Sequence, residues 1–396
     1  MNGVGAAAAG PAAGRGARET ERAASRSYAI EIVDTAAGFE ALKPEWDALF
    51  SRAGLPQQVS QDHDFLRHWV RHYLDRSSAL HIVVGRQDGV LAMVWPLVRR
   101  RRLGLVMLQF MGLPVAQFGD ILLDPESDVP SLAVASWAAV ECSGADLFFA
   151  QKVRADAAFS RLTGGPPPLT VDTQQSPFAC LKLRAGTDGP GSAYSPRERS
   201  SWRRRLKRLA ERGELALRSV SPGAEAEALA RRAVAFKLDR LNRSAVLSPT
   251  MADARFSAFF ADVAADPDSS LRIATIERAG RPIGIDLSFD CKGTSFGHVL
   301  ASDPDCEHEG VGSVLIHHVL AAAAARGSAV FDMLAPADPY KLHHTDGQTV
   351  VHDLAFAFTL RGRLYGEAVL KRARPLAKEL AKKLPAGLVR GLTSGR

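Results

Sequence analysis

Residues 295–333 constrain the chain more than any other stretch. They read as a strand (Ser295–Leu300), a loop (Ala301–Glu309), an apolar helix (Val311–Arg326) and a further strand (Ala329–Met333). The loop enters the helix through Gly310 and Gly312. A glycine has no Cβ, so a ligand can come close to the backbone there. The first-turn N–H groups of a helix have no partner within it and lie at its positive end, so together they bind a phosphate without charged side chains. Glu309, Gly310, Val311, Gly312 and Ser313 are therefore candidate pyrophosphate-binding residues. An ordinary glycine-rich helix start is the competing reading.

The rest of the chain alternates strands and helices in the same manner. Tyr28–Val33 is a strand, and Gly38–Phe50 and Gln61–Tyr73 are helices. A hairpin joins Leu80–Gly85 to Val90–Val98 across Asp88-Gly89, a strong turn signal. Strands at Leu105–Met111, Asp120–Leu123, Leu147–Ala150 and Phe178–Leu183 follow, with helix Leu132–Cys142 among them and Arg99–Arg102 as an exposed turn. After the Gly- and Ser-rich Gly186–Ser195 come a basic helix Pro196–Arg212, strand Leu215–Ser219 and helices Ala224–Arg243 and Ala252–Ala265. A hairpin of Leu271–Ile276 with Pro282–Phe289 precedes the informative segment, and strand His352–Thr359 comes after it. Both halves run strand, helices, hairpin, strands, helix, strand. The expected fold is α/β with mixed sheets, in two tandem units over 28–185 and 186–360. Residues 1–27 are expected to form a disordered tail, and 361–396 a basic amphipathic one.

The net charge of +7 is local. Residues 361–396 hold ten Lys/Arg and two Glu, and residues 197–218 hold nine and three. The remainder is near neutral, which argues against nucleic acid as a general partner. The four cysteines, Cys142, Cys180, Cys291 and Cys306, form no CxxC pair, which fits a reducing, cytoplasmic setting. No apolar run is long enough to span a bilayer. His68 and His72 have metal-compatible spacing but no third ligand nearby, and His317-His318 and His343-His344 have no supporting pattern, so no metal is expected. In 364–384, Val369, Ala373, Leu376, Leu380 and Leu384 fall near helical spacing with basic residues opposite and Pro375 as a possible kink. Docking on the protein is the first expectation for this tail and peripheral contact with anionic lipid the second.

The run HVLASDPDCEHEGVGSVLIHHVLAAAAARGSAVFDMLAPADPYK resembles the CelD-type (cellulose-biosynthesis) acetyltransferase family, a branch of the GCN5-related N-acetyltransferases. FGDILLDP, the basic helix ending at Gly213, RAGRPIGI, FDM and PYK extend the likeness over most of residues 28–360. The resemblance implies two copies of the acetyltransferase fold, as in Fem-type transferases. It also implies acetyl-CoA or another acyl-CoA as co-substrate. The superfamily loop reads Arg/Gln-x-x-Gly-x-Gly/Ala, and Glu307 stands here at its first position.

Acyl transfer to an amine needs a proton acceptor, an oxyanion donor and an acid for the departing thiolate. The resemblance implies a backbone amide of Pro282–Phe289 for the oxyanion. Asp286 shares a strand face with Ser288 and is a candidate base, against the reading of a surface aspartate. Asp332 in an apolar strand needs a partner if buried. Lys341 could supply it and Tyr340 could be the thiolate's acid, matching the family's aspartate-then-Tyr-Lys pattern; a purely structural Asp332–Lys341 pair is the other reading. His298 reads as a hydrogen-bonded core or groove histidine. The acceptor implied is a small amine or an amino sugar, free or polysaccharide-linked. A Fem-like transferase using charged tRNA, and a non-catalytic scaffold, are the alternatives.

Overall fold

The computed structural model describes residues 28–102, 104–181, 196–244 and 246–382. The expected N-terminal tail and the Gly186–Ser195 linker lie outside the described residues. The strands are β1 (Tyr28–Val33), β2 (Ser78–Leu80), β3 (Ile82–Gln87), β4 (Val90–Trp95), β5 (Leu97–Arg102), β6 (Leu105–Phe110), β7 (Leu122–Leu123) and β8 (Leu147–Arg154). They continue as β9 (Leu169–Cys180), β10 (Leu215–Val220), β11 (Leu271–Arg278), β12 (Arg281–Cys291), β13 (Thr294–Ser302), β14 (Val330–Asp332) and β15 (Gly347–Ala357). The helices longer than one turn are α1 (Ala36–Ala41), α2 (Lys43–Ala53), α3 (His63–Tyr73), α4 (Val129–Glu141) and α5 (Pro196–Ala210). They continue with α6 (Ala224–Arg243), α7 (Ala254–Ala265), α8 (Val311–Ala325), α9 (Leu360–Tyr365) and α10 (Arg374–Lys382).

The fold is mixed α/β. A small sheet has the order β1-β3-β4-β7, and a large one runs β10-β11-β12-β13-β14-β9-β15-β8-β6-β5-β2. The two halves reproduce each other locally: β13 and β14 are parallel across α8, as β6 and β8 are across α4. They also exchange their last strands. β9, from the first half of the sequence, pairs with β14 of the second. β15, from the second half, pairs with β8 of the first. β9 and β15 then pair antiparallel with each other from Gly347↔Phe178 to Ala355↔Leu169, and so fuse the halves into one sheet.

The core crosses the same seam. One apolar cluster joins Trp46, Phe65 and Trp69 to Phe259, Phe289 and Phe296. The Phe65 ring sits 5.2 Å from that of Phe259 and 5.4 Å from that of Phe289. His68 on α3 contacts Asp262 of α7 and Asp266, the residue that ends it, each at 2.8 Å, so it serves as a bridge between the halves. A second cluster packs Trp95, Trp137, Phe148 and Phe159 with Phe356 from β15. A third seats α8 on the sheet through Val311, Val314, Leu315 and Val319.

Several boundaries differ from expectation for identifiable reasons. The helix expected over Gly38–Phe50 divides into α1 and α2, because Pro44 sits in the first turn of α2 and cannot continue the ladder of α1. Arg99–Arg102 belong to β5, paired with β6 as far as Arg102↔Leu105, and do not form a turn. Pro96 breaks the long hairpin arm, so β4 stays in the small sheet and β5 joins the large one. The strand expected from Phe178 starts at Leu169; its polar middle, Asp172–Ser176, gave no apolar signal because the strand crosses the seam rather than the core.

The exchange predicts that neither half is autonomous. Residues 196–342 produced alone lack β9 and leave β14 unpaired on one side. They should show no cooperative thermal transition by circular dichroism, whereas the full chain should melt in one.

Candidate functional site

β13 and β14 pair at three positions only, ending at Phe296↔Asp332. β13 runs on to Ser302, while the chain after β14 turns toward β9, with Met333 N–H donating to the Pro177 carbonyl at 2.8 Å. The two strands therefore open into a V whose β13 arm has no strand on that side. The opening begins at a bulge. Leu287 lies opposite Val299 and Ser288 opposite Gly297, which leaves His298 as the extra residue. Burial pushes the His298 imidazole down to about 4, with the Lys152 charge adding to the effect against the Phe296 carbonyl, so the ring is neutral near pH 7. Its Nδ1 lies 3.3 Å from that carbonyl, and its buried Nε2 has no hydrogen-bond partner among the described residues. An Nδ1–H donated to a carbonyl leaves a bare lone pair on Nε2. Farther along the V, Lys237 of α6 donates to the Leu300 carbonyl at 3.3 Å, and burial lowers its ammonium to about 8.

The V leads to the start of α8. Gly310 is its N-cap, in the left-handed region at φ 79°, with no side-chain cap. Ser313 and Val314 N–H groups turn back to the Gly310 carbonyl, which leaves those of Val311 and Gly312 outside the helix ladder. A Cβ on Gly312 would meet nothing within 4 Å, so the site is open to a ligand. A Cβ on Gly310 would lie 3.4 Å from Arg205 Cδ, which brings the basic helix α5 to the same spot. The acidic loop residues are neutralised. Glu307, at the unusual first position, pairs with Arg240 at 2.9 Å. Glu309 pairs with Arg278 at 2.6 Å and Arg212 at 2.9 Å. Burial alone would raise the Glu309 carboxyl, but those arginines hold it below its usual range. In contrast, the Asp128 carboxylate already caps the equivalent helix of the first half, accepting from Ser131 N–H at 3.2 Å, and Pro130 stands in that turn. An anion finds no comparable opening there.

The sequence-derived candidates divide over the two faces of the sheet. Asp332 is buried, and its partner is Arg154 of β8 at 2.7 Å, not Lys341. Its other oxygen accepts from Ser176 Oγ at 2.7 Å and Leu334 N–H at 2.8 Å. Arg154 also pairs with Asp156 and lies over the Phe118 ring. Lys341 instead donates to the carbonyls of Leu334 at 2.8 Å and Pro336 at 2.9 Å, bracing the loop that leaves β14. Tyr340 beside it is 42% exposed. Asp286 lies on the other face. Gly284, two residues earlier, abuts Val311 and Leu315 of α8, so alternation places Asp286 under that helix. There it is 2% exposed, bonded to Ser288 Oγ at 2.5 Å, and raised by burial to about 7. His298, ringed by Phe289 and Phe260, points to the opposite side.

A cleft of about 420 Å³ lies at the seam, lined by Gln117, Gln151, Lys152, Asp172, Gln174 and Asp353, with Pro336 and Arg374 at its margin. Burial lowers Lys152 to about 8, although Asp353 opposes this. Its Nζ donates to the Ala116 carbonyl at 2.9 Å.

Residues 196–342 match the acetyltransferase (GNAT) domain family. This segment is a GNAT-type acetyltransferase domain. Over most of the chain the fold is similar to that of FemX, at 11% identity and TM-score 0.57, covering 82% of this chain and 98% of that one. It is also similar to L-PGS from Bacillus licheniformis, at 12% identity and TM-score 0.51, covering 86% and 97%. The C-terminal domain of a putative lysylphosphatidylglycerol synthetase from Agrobacterium fabrum matches at 11% and 0.51, covering 85% and 96%. At such identities the likeness establishes the fold. No curated protein matches the chain.

Arg154, Ser176, Lys152 and Lys237 escaped the sequence reading because none lies in a motif. The available signal was a cation inside an apolar stretch, as in LFFAQKVR and AVAFKL. The buried Asp332–Arg154 pair makes a clear prediction. Arg154→Ala strands a buried carboxylate and should cost about 3–5 kcal/mol. Adding Asp332→Asn should recover much of that loss in a double-mutant cycle read by urea unfolding.

Proposed function

We propose that the chain is an acyl-CoA-dependent N-acyltransferase, with acetyl-CoA as the first donor to test and an amine as acceptor. The observation that carries this reading is the continuity of the opened β13–β14 V with the uncapped start of α8. Val311 and Gly312 N–H groups would bind the pyrophosphate, with Ser313 and the Gly310 turn shaping the approach and Arg205 adding charge. The β13 edge beyond Phe296 offers unpaired backbone to an extended donor arm. At the bulge, the His298 Nε2 lone pair would accept a hydrogen from the incoming amine, and the amides on the open edge of β13, rather than one of Pro282–Phe289, whose strand is paired on both sides, would face the developing oxyanion. Asp332 would act through Arg154, fixing the seam, and Lys341 would hold the loop that presents Tyr340 as acid for the thiolate. Asp286, sealed under α8, would serve the support of that helix rather than proton transfer.

The seam cleft, with its amides and carboxylates, is the proposed acceptor site. The CelD-type resemblance supports an amino sugar, free or polysaccharide-linked. The four free cysteines fit a cytoplasmic setting. A second reading is a Fem-like transfer from charged tRNA. It is favoured by Arg203, Arg204, Arg205 and Arg208 of α5, which are exposed and have no ion pair among the described residues.

Calorimetric titration should show acetyl-CoA binding that Gly312→Val weakens by about tenfold or more, with Tm unchanged, since the new side chain meets only open space. No heat with folded protein, together with tight salt-sensitive retention of charged tRNA on filters, would select the second reading. In a thiol-release assay, His298→Gln should lower kcat by about 100-fold or more while the KM for acetyl-CoA stays near that of the parent.

A further inference from the structure

The chain after β15 forms one continuous helical rod: α9, a π-helical segment Gly366–Ala373, and α10. One side docks on the large sheet through Tyr365 and Leu370, packed with Met107, Leu147 and Phe149. The other side carries large exposed leucines: Leu360 at 72%, Leu364 at 60%, Leu376 at 64% and Leu380 at 66%. With exposed Ala368 and Arg372, they form an unbroken series at every fourth residue.

That spacing would not hold a face in a regular α-helix. A step of four overshoots a turn by about 40° in an α-helix and falls short by about 30° in a π-helix. Five such steps in an α-helix would carry Leu380 to the far side from Leu360. Here the π segment takes back the drift, as the Arg374 N–H donating to the Val369 carbonyl five residues earlier shows. Leu360, Leu364, Ala368, Arg372, Leu376 and Leu380 return to one stripe. Pro375 explains why the wide turn sits there, because its ring would press on the carbonyl four residues back in an α-helix.

We propose that this stripe is a docking surface for an anionic lipid bilayer. Two features select that occupant. The rod is rich in Lys/Arg and its large exposed apolar residues are confined to one stripe, the pattern of a helix that lies in a membrane interface. It also carries free cations: Arg372 sits within the row and Arg363 beside it, and both are exposed and form no ion pair among the described residues. Residues 361–396 carry ten Lys/Arg against two Glu, a charge complementary to an anionic headgroup layer. The proposal is independent of the acyl-transfer reading, because that reading uses none of the residues of the stripe.

The test is co-sedimentation of the full chain with vesicles of phosphatidylcholine alone or mixed with phosphatidylglycerol. The expected result is at least about tenfold greater partition onto the mixed vesicles, falling steeply with added salt. The Leu376→Gln/Leu380→Gln variant changes only exposed positions. It should lose most of this binding with an unaltered melting curve, and Arg363→Gln/Arg372→Gln should lose the preference for phosphatidylglycerol. Equal partition onto both vesicle types, unchanged binding by the leucine variant, or no binding with concentration-dependent dimerisation would each overturn the proposal.

Discussion

The ion pair between Asp332 and Arg154 joins what the sequence keeps 178 residues apart. Asp332 closes the last rung between β13 and β14, and Arg154 ends the strand that β15 covers. Ser176, on the exchanged strand between them, donates to the same carboxylate. An uncompensated charge at this depth would be costly, so the two halves are held in one relative placement. The V at β13–β14, the loop braced by Lys341 and the cleft by Lys152 all take their position from that placement. This is a physical reason for an aspartate at the end of β14 that does not require it to touch a substrate.

The small elements of the site were legible in the sequence. Gly310 and Gly312 before an apolar helix are a local signal, and the structure places them at an uncapped helix start. Helix α6 coincides with the expected Ala224–Arg243 for the same reason: its periodicity is local. Partners across the seam were not legible. The choice of Arg154 over Lys341 depends on β8 lying near β14 through two exchanged strands, and no spacing in one chain encodes that. The bulge at His298 was equally hidden, since a one-residue slip in β13 changes register without changing composition. Only pairing reveals that His298 lacks an opposite residue and that its ring turns toward Phe289.

Electrostatics around the α8 start show how a non-consensus loop can remain suited to phosphate. Glu307 and Glu309 would repel an anion if left bare. Arg240 of α6, Arg278 of β11 and Arg212, in the turn after α5, hold them in place. The local field is then set by backbone N–H groups and by Arg205, not by the acidic side chains that the one-dimensional sequence displays.

The exchanged strands also bear on how the two units can diverge. The first half has its own helix start occupied by Asp128 and its interior filled by Trp95 and Trp137, so it offers little room for a donor of its own. It nevertheless supplies β9, without which β14 and the V beside it would have an open edge. A unit that has lent a strand to its neighbour must keep its shape, because the neighbour's sheet is completed by it, even where its own helix start is closed.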